Sequence, residues 1–481
     1  MFAFIPQKYK EVLRLAWPLI IANAFWNIQL TVDRIFIGEY SSLGLGAVIA
    51  AGIVFWVPMA LLQQTSAYVS TFIAQYSGSK QPEMIGTAFW QAIWIALIGG
   101  SLFLLLLFPT PYLFSIFSHS QEMQALEVIY FKAICWSALP TAIVAVCSGF
   151  FTGIEKTATI MKINAAGMMA NILFDYVLIF GHWGFPELGV KGAGYATSLA
   201  ALVAMIYGLM VVIRADPTNL YKITSSIKLH TDVFRRFLIY GVPSGLQWSL
   251  EATAFTVFVV FIGRLPNGDA SLTATSIALS IMHLSVLPSI GVAQAIGVLV
   301  GKSLGQSAPD KAETFSWAGV RIVAIYMLTM GISFILIPDF YINWFAPRVG
   351  TDVWLQAQHI AVFLLMFMAL FTLFDSMNFV LSFALRGAGD TKFISWVSLL
   401  VPWPLMVIPT WMVSKHAQGI YYAWGFASFY IIVLAFIILF RFRGGKWKKM
   451  RVIEMQQTPS ELDLNATASK TDLPDPVQFQ L

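Results

Sequence analysis

Residues 157–181 read TATIMKINAAGMMANILFDYVLIFG, an apolar run of helical length that contains a single carboxylate, Asp175. About 20 such residues in a helix span the roughly 30 Å hydrocarbon core of a bilayer. Similar runs recur along the 481-residue chain, in which 58% of the residues are hydrophobic and only 11% are charged. A soluble core cannot hide that much apolar surface. Since the runs lack the alternation of a membrane barrel, the sequence predicts an all-α integral membrane protein.

Twelve runs are long enough to be spanning helices, and basic residues orient them. The predicted spans are residues 12–37, 44–75, 88–110, 125–151, 157–181, 190–213, 233–262, 272–300, 315–338, 354–384, 391–413 and 418–441. If the N-terminus is cytoplasmic, 23 of the 29 lysine and arginine residues lie on the cytoplasmic side, Arg386 among them. This bias predicts a multi-pass protein of the plasma (inner) membrane with both termini in the cytoplasm. It also accounts for the net charge of +5 without nucleic acid.

The two halves of the chain are related by an internal repeat. FIGEY at 36–40 corresponds to FIGRL at 261–265, Gly78 corresponds to Gly305, and GIEKT at 153–157 corresponds to GAGDT at 387–391. Six helices per repeat place both halves in the same orientation, about an axis along the membrane normal and with a central cavity between them. The predicted parts are an N-terminal six-helix lobe (1–217), a cytoplasmic inter-lobe linker (218–232), a C-terminal six-helix lobe (233–441) and a disordered cytoplasmic tail (442–481).

Several stretches, in order along the chain, resemble the multidrug and toxic compound extrusion (MATE) transporters. They are VDRIFIG at 32–38, AQYSGS at 74–79, NILFDYVLIFG at 171–181, GVKGAGYATS at 189–198, GVPSGLQWSLEATAF at 241–255 and FDSMNFVLSFALRGAGDT at 374–391. Glu251, eight residues after Pro243, and Asp375, eleven before Arg386, resemble the NorM-like branch. The resemblance implies a secondary active antiporter that exports small amphipathic, cationic organic compounds in exchange for Na⁺ or H⁺. Phe371 departs from this branch, which often has a tyrosine there.

Four carboxylates stand out within the predicted spans: Asp33, Asp175, Glu251 and Asp375. A charged side chain at the bilayer centre costs about 2.5–3.5 kcal/mol on insertion scales, so these acids are expected to face water or one another. The alternative for each is a structural hydrogen bond to a neighbouring helix. We interpret Glu251 and Asp375 as the ion or cargo carboxylates of the C-terminal lobe.

A cation site is predicted in the N-terminal lobe. Asn171 and Asp175 are four residues apart and share a helical face. Together with Asp33 they form the oxygen-rich set that a small cation such as Na⁺ requires. The carboxylates can bind a proton instead, so Na⁺ and H⁺ both remain open. The resemblance adds Thr197 as a fourth oxygen ligand.

Other residues are weaker candidates. Five side chains are predicted to line the substrate cavity, with packing as the alternative: Gln64, Gln247, Trp248, Phe371 and His283. Pro18 interrupts the backbone hydrogen bonding of the first span, and the resemblance implies that it acts as a hinge.

Two rival functions were weighed. GAGD at 387–390 matches the GxGD pattern of intramembrane aspartyl proteases, but it falls at a cytoplasmic helix end and repeats GIEKT. Since HExxH and P-loop motifs are absent, we expect no catalytic residue and no cofactor beyond the coupling ion. A lipid-linked oligosaccharide flippase is the stronger alternative, but the scarcity of basic residues within the spans favours organic cations or neutral lipophilic compounds as cargo. The expected partners are these small molecules and the lipid bilayer, and the protein is expected to be monomeric.

Overall fold

A computed structural model describes residues 6–117, 119–346, 352–416 and 418–454, and these residues form an all-helical protein. Twelve of the helices are long and apolar enough to cross a membrane, which confirms the predicted spans. They are α1 (Gln7–Tyr40), α2 (Ser42–Gly78), α3 (Glu83–Leu107), α4 (Gln121–Gly153), α5 (Thr157–Phe180), α6 (Val190–Arg214), α7 (Thr231–Ile262), α8 (Gly268–Gly305), α9 (Pro309–Leu336), α10 (Asp352–Ala388), α11 (Thr391–Met412) and α12 (Gly419–Arg443).

Several spans are interrupted where the sequence weakens the helix. In α11 an α-helix from Thr391 to Leu400 gives way to a π-helical turn, Trp403–Val407, before the final turn Ile408–Met412. Three prolines in this stretch remove backbone donors, which explains the break. The span α2 changes direction at Tyr68, between Ser42–Ala67 and Val69–Gly78.

The packing of the helices reproduces the sequence repeat. Within the N-terminal lobe α5 packs on α6 and α1, and within the C-terminal lobe α8 packs on α10, which also contacts α9 and α12. The lobes meet through α1 against α8 and through α7 against α2. These two contacts are equivalent under the repeat, because α7 corresponds to α1 and α8 corresponds to α2.

The lobes approach most closely at the terminal face, the end of the bundle where α1 begins and α12 ends. A Cβ at Gly78 would collide with the carbonyl oxygen of Lys302, and a Cβ at Gly305 would collide with that of Gln75. Gly78 and Gly305 are equivalent in the repeat, so the helices α2 and α8 cross about the predicted axis. Only a residue without a side chain permits this backbone approach.

Polar contacts also join the lobes at the terminal face. The Tyr68 hydroxyl donates to the carbonyl of Arg386 at 2.9 Å, and the Gln75 amide donates to that of Gly387 at 3.0 Å. The Lys302 ammonium lies 2.8 Å from the Glu155 carboxylate, across the two lobes. The terminal face is therefore closed.

The lobes part toward the opposite face. The direct hydrogen bonds between described residues of the two lobes run from the terminal face only as far as mid-membrane. There Asn23 donates to Gln294 at 3.4 Å, and Ser249 donates to the carbonyl of Val57 at 2.9 Å. Toward the face opposite the termini, the described residues of the two lobes share no direct hydrogen bond.

The structure differs from the sequence expectation at the start of the predicted tail. The helix α12 continues to Arg443, and a 3-10 turn follows at Lys446–Lys449 with Trp447 only 1% exposed. The Val452 amide then donates to the Gln75 side chain at 2.9 Å. Residues 444–454 therefore pack beneath both lobes, while the rest of the predicted tail, 455–481, lies outside the described residues.

The segment that joins the lobes is fastened to α3. The Trp90 indole donates to the carbonyl of Ile223 at 2.6 Å, and the His230 amide donates to the Gln91 side chain at 3.1 Å. The helix α7 begins immediately afterwards, at Thr231. These contacts hold the connection along the terminal face of the N-terminal lobe.

Candidate functional site

The predicted cation cluster of the N-terminal lobe comes together in the fold. Asp33 lies on α1, and Asn171 and Asp175 lie on α5, which packs directly on α1. Asp33 is 4% exposed and the other two side chains are 0% exposed. The carboxylates of Asp33 and Asp175 are close enough to interact electrostatically. Three oxygen-bearing side chains are thus buried on two helices that pack on each other.

Most polar atoms of this cluster lack a partner among the described residues. They are both oxygens of Asp175, Oδ1 of Asp33, and both amide atoms of Asn171. A buried polar atom left unsatisfied costs about 1–3 kcal/mol. Two carboxylates and an amide oxygen are the ligands that a hard cation prefers. Protons can bind to the same carboxylates instead. No group of three His, Cys, Asp or Glu side chains in the described part of the chain is placed to hold a metal ion.

Tyr130 belongs to the same region, although sequence reasoning did not single it out. It lies on α4, is buried, and interacts electrostatically with both Asp33 and Asp175. A tyrosine inside an apolar helix carries no sequence signal for such a role. The predicted ligand Thr197 is half-buried on α6, and its hydroxyl donates to the carbonyl of Ala193 on its own helix at 3.1 Å.

The acids of the C-terminal lobe form a second cluster with a different environment. Glu251 on α7 is half-buried, and its Oε1 accepts hydrogen bonds from Gln247 at 3.1 Å and from Ser398 on α11 at 2.7 Å. Asp375 on α10 is also half-buried, bonds to Asn378 and interacts electrostatically with Glu251. This pair is thus partly exposed and already supplied with donors.

Arg386, counted among the basic residues of the cytoplasmic side, does not lie in a loop. It is buried near the end of α10, where its guanidinium donates to the Ser244 hydroxyl from both Nε, at 3.0 Å, and Nη2, at 2.5 Å. The group lies over the Phe383 ring and interacts electrostatically with Glu251. Sequence counting cannot find this role, because the residue stands next to a predicted loop.

The predicted cavity residues divide by exposure. Phe371 is only 1% exposed and packs in the core of the C-terminal lobe, so it does not line an open cleft. Gln247 is also buried, where it serves as a donor to Glu251. Both side chains are buried because the rotation of α10 and α7 about their axes turns the faces that carry them toward other helices.

The remaining candidates are more accessible. Gln64 and Trp248 are half-buried, and the Trp248 indole nitrogen has no partner among the described residues. His283 is exposed on α8, with its Nδ1 3.0 Å from the carbonyl of Leu279. The predicted hinge Pro18 lies buried within α1, which runs as one continuous helix through it.

Comparison with known proteins follows the two-lobe division. Residues 18–177 and 243–412 match the MatE family model, one stretch in each lobe. A probable multidrug resistance protein NorM from Thermotoga maritima is 26% identical over 455 residues, which cover 94% of this chain and 96% of that relative. A probable multidrug resistance protein NorM from Acinetobacter baylyi is 25% identical over 399 residues, which cover 82% of this chain and 86% of that relative.

Solved structures share the fold. One is described as the outward-facing conformation of a multidrug resistance MATE family transporter of the MOP superfamily; its TM-score is 0.84 at 19% identity, with 92% of this chain and 98% of that chain covered. A MOP superfamily transporter from Pyrococcus furiosus, described as having a binding pocket of reverse polarity that suggests a different function, has the same TM-score, identity and coverage. Because the family model matches most of the chain and both lobes, this chain belongs to the MATE family of multidrug efflux transporters.

Proposed function

We propose that this protein is a secondary active antiporter that exports small amphipathic, cationic organic compounds in exchange for Na⁺ or H⁺. The observation that supports it is the contrast between the two acidic clusters. Asp33 and Asp175 are sealed from solvent and mostly unpartnered, whereas Glu251 and Asp375 are partly exposed. The first cluster suits a small ion, and the second suits a larger cation that enters from the cleft.

The exchange follows from competition for negative charge. A carboxylate neutralised by an ion no longer attracts a cationic cargo, and a bound cargo cation disfavours the ion. Linkage between two ligands is reciprocal, so each promotes release of the other. In the C-terminal lobe the buried ring of Phe371 offers no hydroxyl ligand, which favours protons over Na⁺ at Glu251 and Asp375.

The membrane potential can supply the energy. One elementary charge that moves inward gains about 2.3 kcal/mol per 100 mV. At about 1.4 kcal/mol per tenfold, this supports a roughly 50-fold accumulation of a neutral cargo. Because no nucleotide-binding motif occurs in the sequence, the ion gradient is the proposed source of energy.

The proposed setting is the plasma (inner) membrane, with both termini cytoplasmic and the protein monomeric. The distribution of basic residues supports this orientation. The terminal face is then the cytoplasmic face, and the cleft opens to the outside. A lipid-linked oligosaccharide flippase is not favoured, because the buried Arg386 is engaged by Ser244 while the partly exposed ionisable pair is acidic.

The test is transport by the purified protein in proteoliposomes loaded with the fluorescent cation ethidium. A Na⁺ gradient at equal pH and a pH gradient without Na⁺ are imposed separately, and matched ionophores that collapse each gradient serve as controls. We expect one or both gradients to drive ethidium across the membrane. If neither gradient moves ethidium or other organic cations, the antiporter proposal is wrong.

A further inference from the structure

A histidine and a buried glutamate form a pair in the N-terminal lobe, outside the acidic clusters described above. Glu127 on α4 is 0% exposed, and its Oε1 lies 2.7 Å from Nδ1 of the exposed His119. His119 belongs to the connection between α3 and α4, at the face opposite the termini. Its ring stacks on Phe117, and its carbonyl accepts a hydrogen bond from Gln124 at 3.0 Å. The loop therefore holds the imidazole in place above the carboxyl group.

Glu127 has an unused oxygen. Its Oε2 is buried and has no partner among the described residues, so the histidine supports only one side of the carboxyl group. A buried ion pair is weak evidence for stability, because well-packed apolar residues are often as stable or more so. Histidine and acidic residues placed in series within a membrane protein are typical of proton relays.

The pair lies at the depth of the acidic cluster of the N-terminal lobe. Glu127 is six residues into α4, Asp33 is seven residues before the end of α1, and Asp175 is five residues before the end of α5. At 1.5 Å per residue, all three lie about 8–11 Å below the ends of their helices.

Tyr130 connects the two groups. It follows Glu127 by three residues and shares its helical face, with a Cβ separation of about 5–6 Å. It also interacts electrostatically with Asp33 and Asp175. Tyr130 is thus a side chain that has Glu127 as a helical neighbour and both unpartnered acids within electrostatic range.

We propose that His119 and Glu127 form the outer end of a proton path that leads through Tyr130 to Asp33 and Asp175. This inference rests on the proposed antiport function and selects protons as a coupling ion. Water outside delivers a proton to Nε2 of His119 while Nδ1 passes its proton to Oε1 of Glu127. Rotation of the neutral carboxyl group about its Cγ–Cδ bond then carries this proton to the side away from His119, where it is released toward Tyr130 and the acids. The carboxylate is restored, and His119 returns to its starting tautomer by proton exchange with water. Each step moves one proton and changes no oxidation state.

Few other titratable groups lie on the elements packed around this pair. They are Tyr112 on the short helix Thr110–Ser115, Lys191 and Tyr195 on α6, and Glu122 and Lys132 on α4 itself. The Lys191 ammonium is engaged over the Tyr195 ring. The first segment of α2, Ser42–Ala67, contributes no titratable side chain.

The experiment compares Glu127→Gln, His119→Asn and the control Glu122→Gln, which removes an exposed carboxylate from the same helix. Each protein is reconstituted, and proton-driven ethidium export is measured over a series of external pH values. Ethidium affinity is measured in detergent. We expect Glu127→Gln to slow export by about tenfold or more, in line with the loss of a positioned proton carrier. His119→Asn should flatten the dependence on external pH, and both variants should bind ethidium as the wild type does.

The outcomes separate this inference from the antiporter proposal. If the wild-type protein exports nothing under either gradient, the proposed function fails. If the wild type works but Glu127→Gln and His119→Asn match Glu122→Gln in rate and pH profile, the proton path alone is wrong. Export by the wild type that depends on Na⁺ and not on protons also overturns the path. If Glu127→Gln does not fold, His119→Asn decides the test, because His119 lies in the connection between α3 and α4 and its replacement does not disturb the core.

Discussion

Asp175 and Glu251 are both acids within membrane spans, yet their surroundings suit them to different ligands. Both oxygens of Asp175 are buried without a partner among the described residues, whereas Glu251 accepts two hydrogen bonds and is partly exposed. Binding an ion strongly stabilises a buried acid that has no hydrogen-bond partner. The hydrogen-bond donors at Glu251 favour its charged form, and that form can attract an organic cation.

At Asp175 we predict that ion binding is visible as thermal stability. A ligand that binds only the folded state at 100 times its dissociation constant stabilises it by about 2.7 kcal/mol. Added Na⁺ at fixed pH, or added protons at fixed Na⁺, should raise the unfolding temperature of the wild type in detergent. Asp175→Asn should lose most of that increase, whereas Asp269→Asn, at an exposed position, should keep it. A full wild-type increase in Asp175→Asn would remove Asp175 from the ion site.

At Glu251 and Asp375 we predict loss of transport without loss of folding. Glu251→Gln and Asp375→Asn keep the side-chain size and the hydrogen-bonding capacity but remove the charge that competes for ion and cargo. Cells that lack other efflux pumps should lose drug resistance with either variant, while membrane insertion and thermal stability remain. Full resistance from both variants, at normal expression, would show that these residues are not the coupling site.

Among the elements, α7 and α11 are joined at two levels. The Ser395 hydroxyl donates to the carbonyl of Pro243, and the Ser398 hydroxyl donates to Glu251 one turn further along. Pro243 cannot donate a backbone hydrogen bond within α7, and α11 itself breaks into a π-helical turn a few residues later. A change in the position or charge of Glu251 is therefore expected to affect α11 close to the point where its α-helix breaks.

The helix α1 carries the prediction about the hinge. Proline within a helix costs about 3 kcal/mol, so Pro18→Ala should leave the protein at least as stable as the wild type. If α1 must bend during transport, the same change should slow export by about tenfold or more, equivalent to 1.4 kcal/mol. Pro58→Ala in α2 is the matched control, since that proline also lies within a long span. Unchanged export by Pro18→Ala would mean that α1 does not act as a hinge.

On the scale of the whole molecule, a line of contacts between the two lobes closes the terminal face. This line of contacts is called the seam. The α2–α8 crossing, the Glu155–Lys302 ion pair and the segment 444–454 all lie along it. Access from the cytoplasm requires these contacts to separate together. Gln75 is central, because its side chain donates to Gly387 of the other lobe and accepts from Val452.

We predict that added bulk at the crossing opens this seam. Gly78→Ala and Gly305→Ala each place a Cβ against a backbone carbonyl of the opposing helix, so the lobes must shift apart. Hydrogen exchange of the terminal segments of α2 and α8 should become faster in both variants. Gly52→Ala on α2 is the control, because its added Cβ meets nothing within 4 Å. Equal exchange in all three proteins would show that the crossing does not hold the seam closed.

Much of the architecture is encoded in properties that can be read along the chain. Hydrophobic length specifies the spans, basic residues bias their orientation, and repeated segments such as FIGEY and FIGRL reveal the two lobes. A carboxylate in an apolar run is unusual enough to be noticed alone, which is how all four acids were found. Gly78 and Gly305, which are equivalent in the repeat, also indicate in the sequence where α2 and α8 approach closely.

The tertiary structure alone decided which polar atoms remain without partners. Phe371 is buried, Arg386 is engaged by Ser244, Glu127 is paired with His119, and Tyr130 lies near the sealed acids, although none of these facts follows from spacing. The reason is physical: hydrophobicity along the chain places a helix in the bilayer, but its rotation and its neighbours depend on side-chain packing between segments far apart in sequence. The ordered segment 444–454 follows the same rule, because it is polar in composition and held by contacts with both lobes.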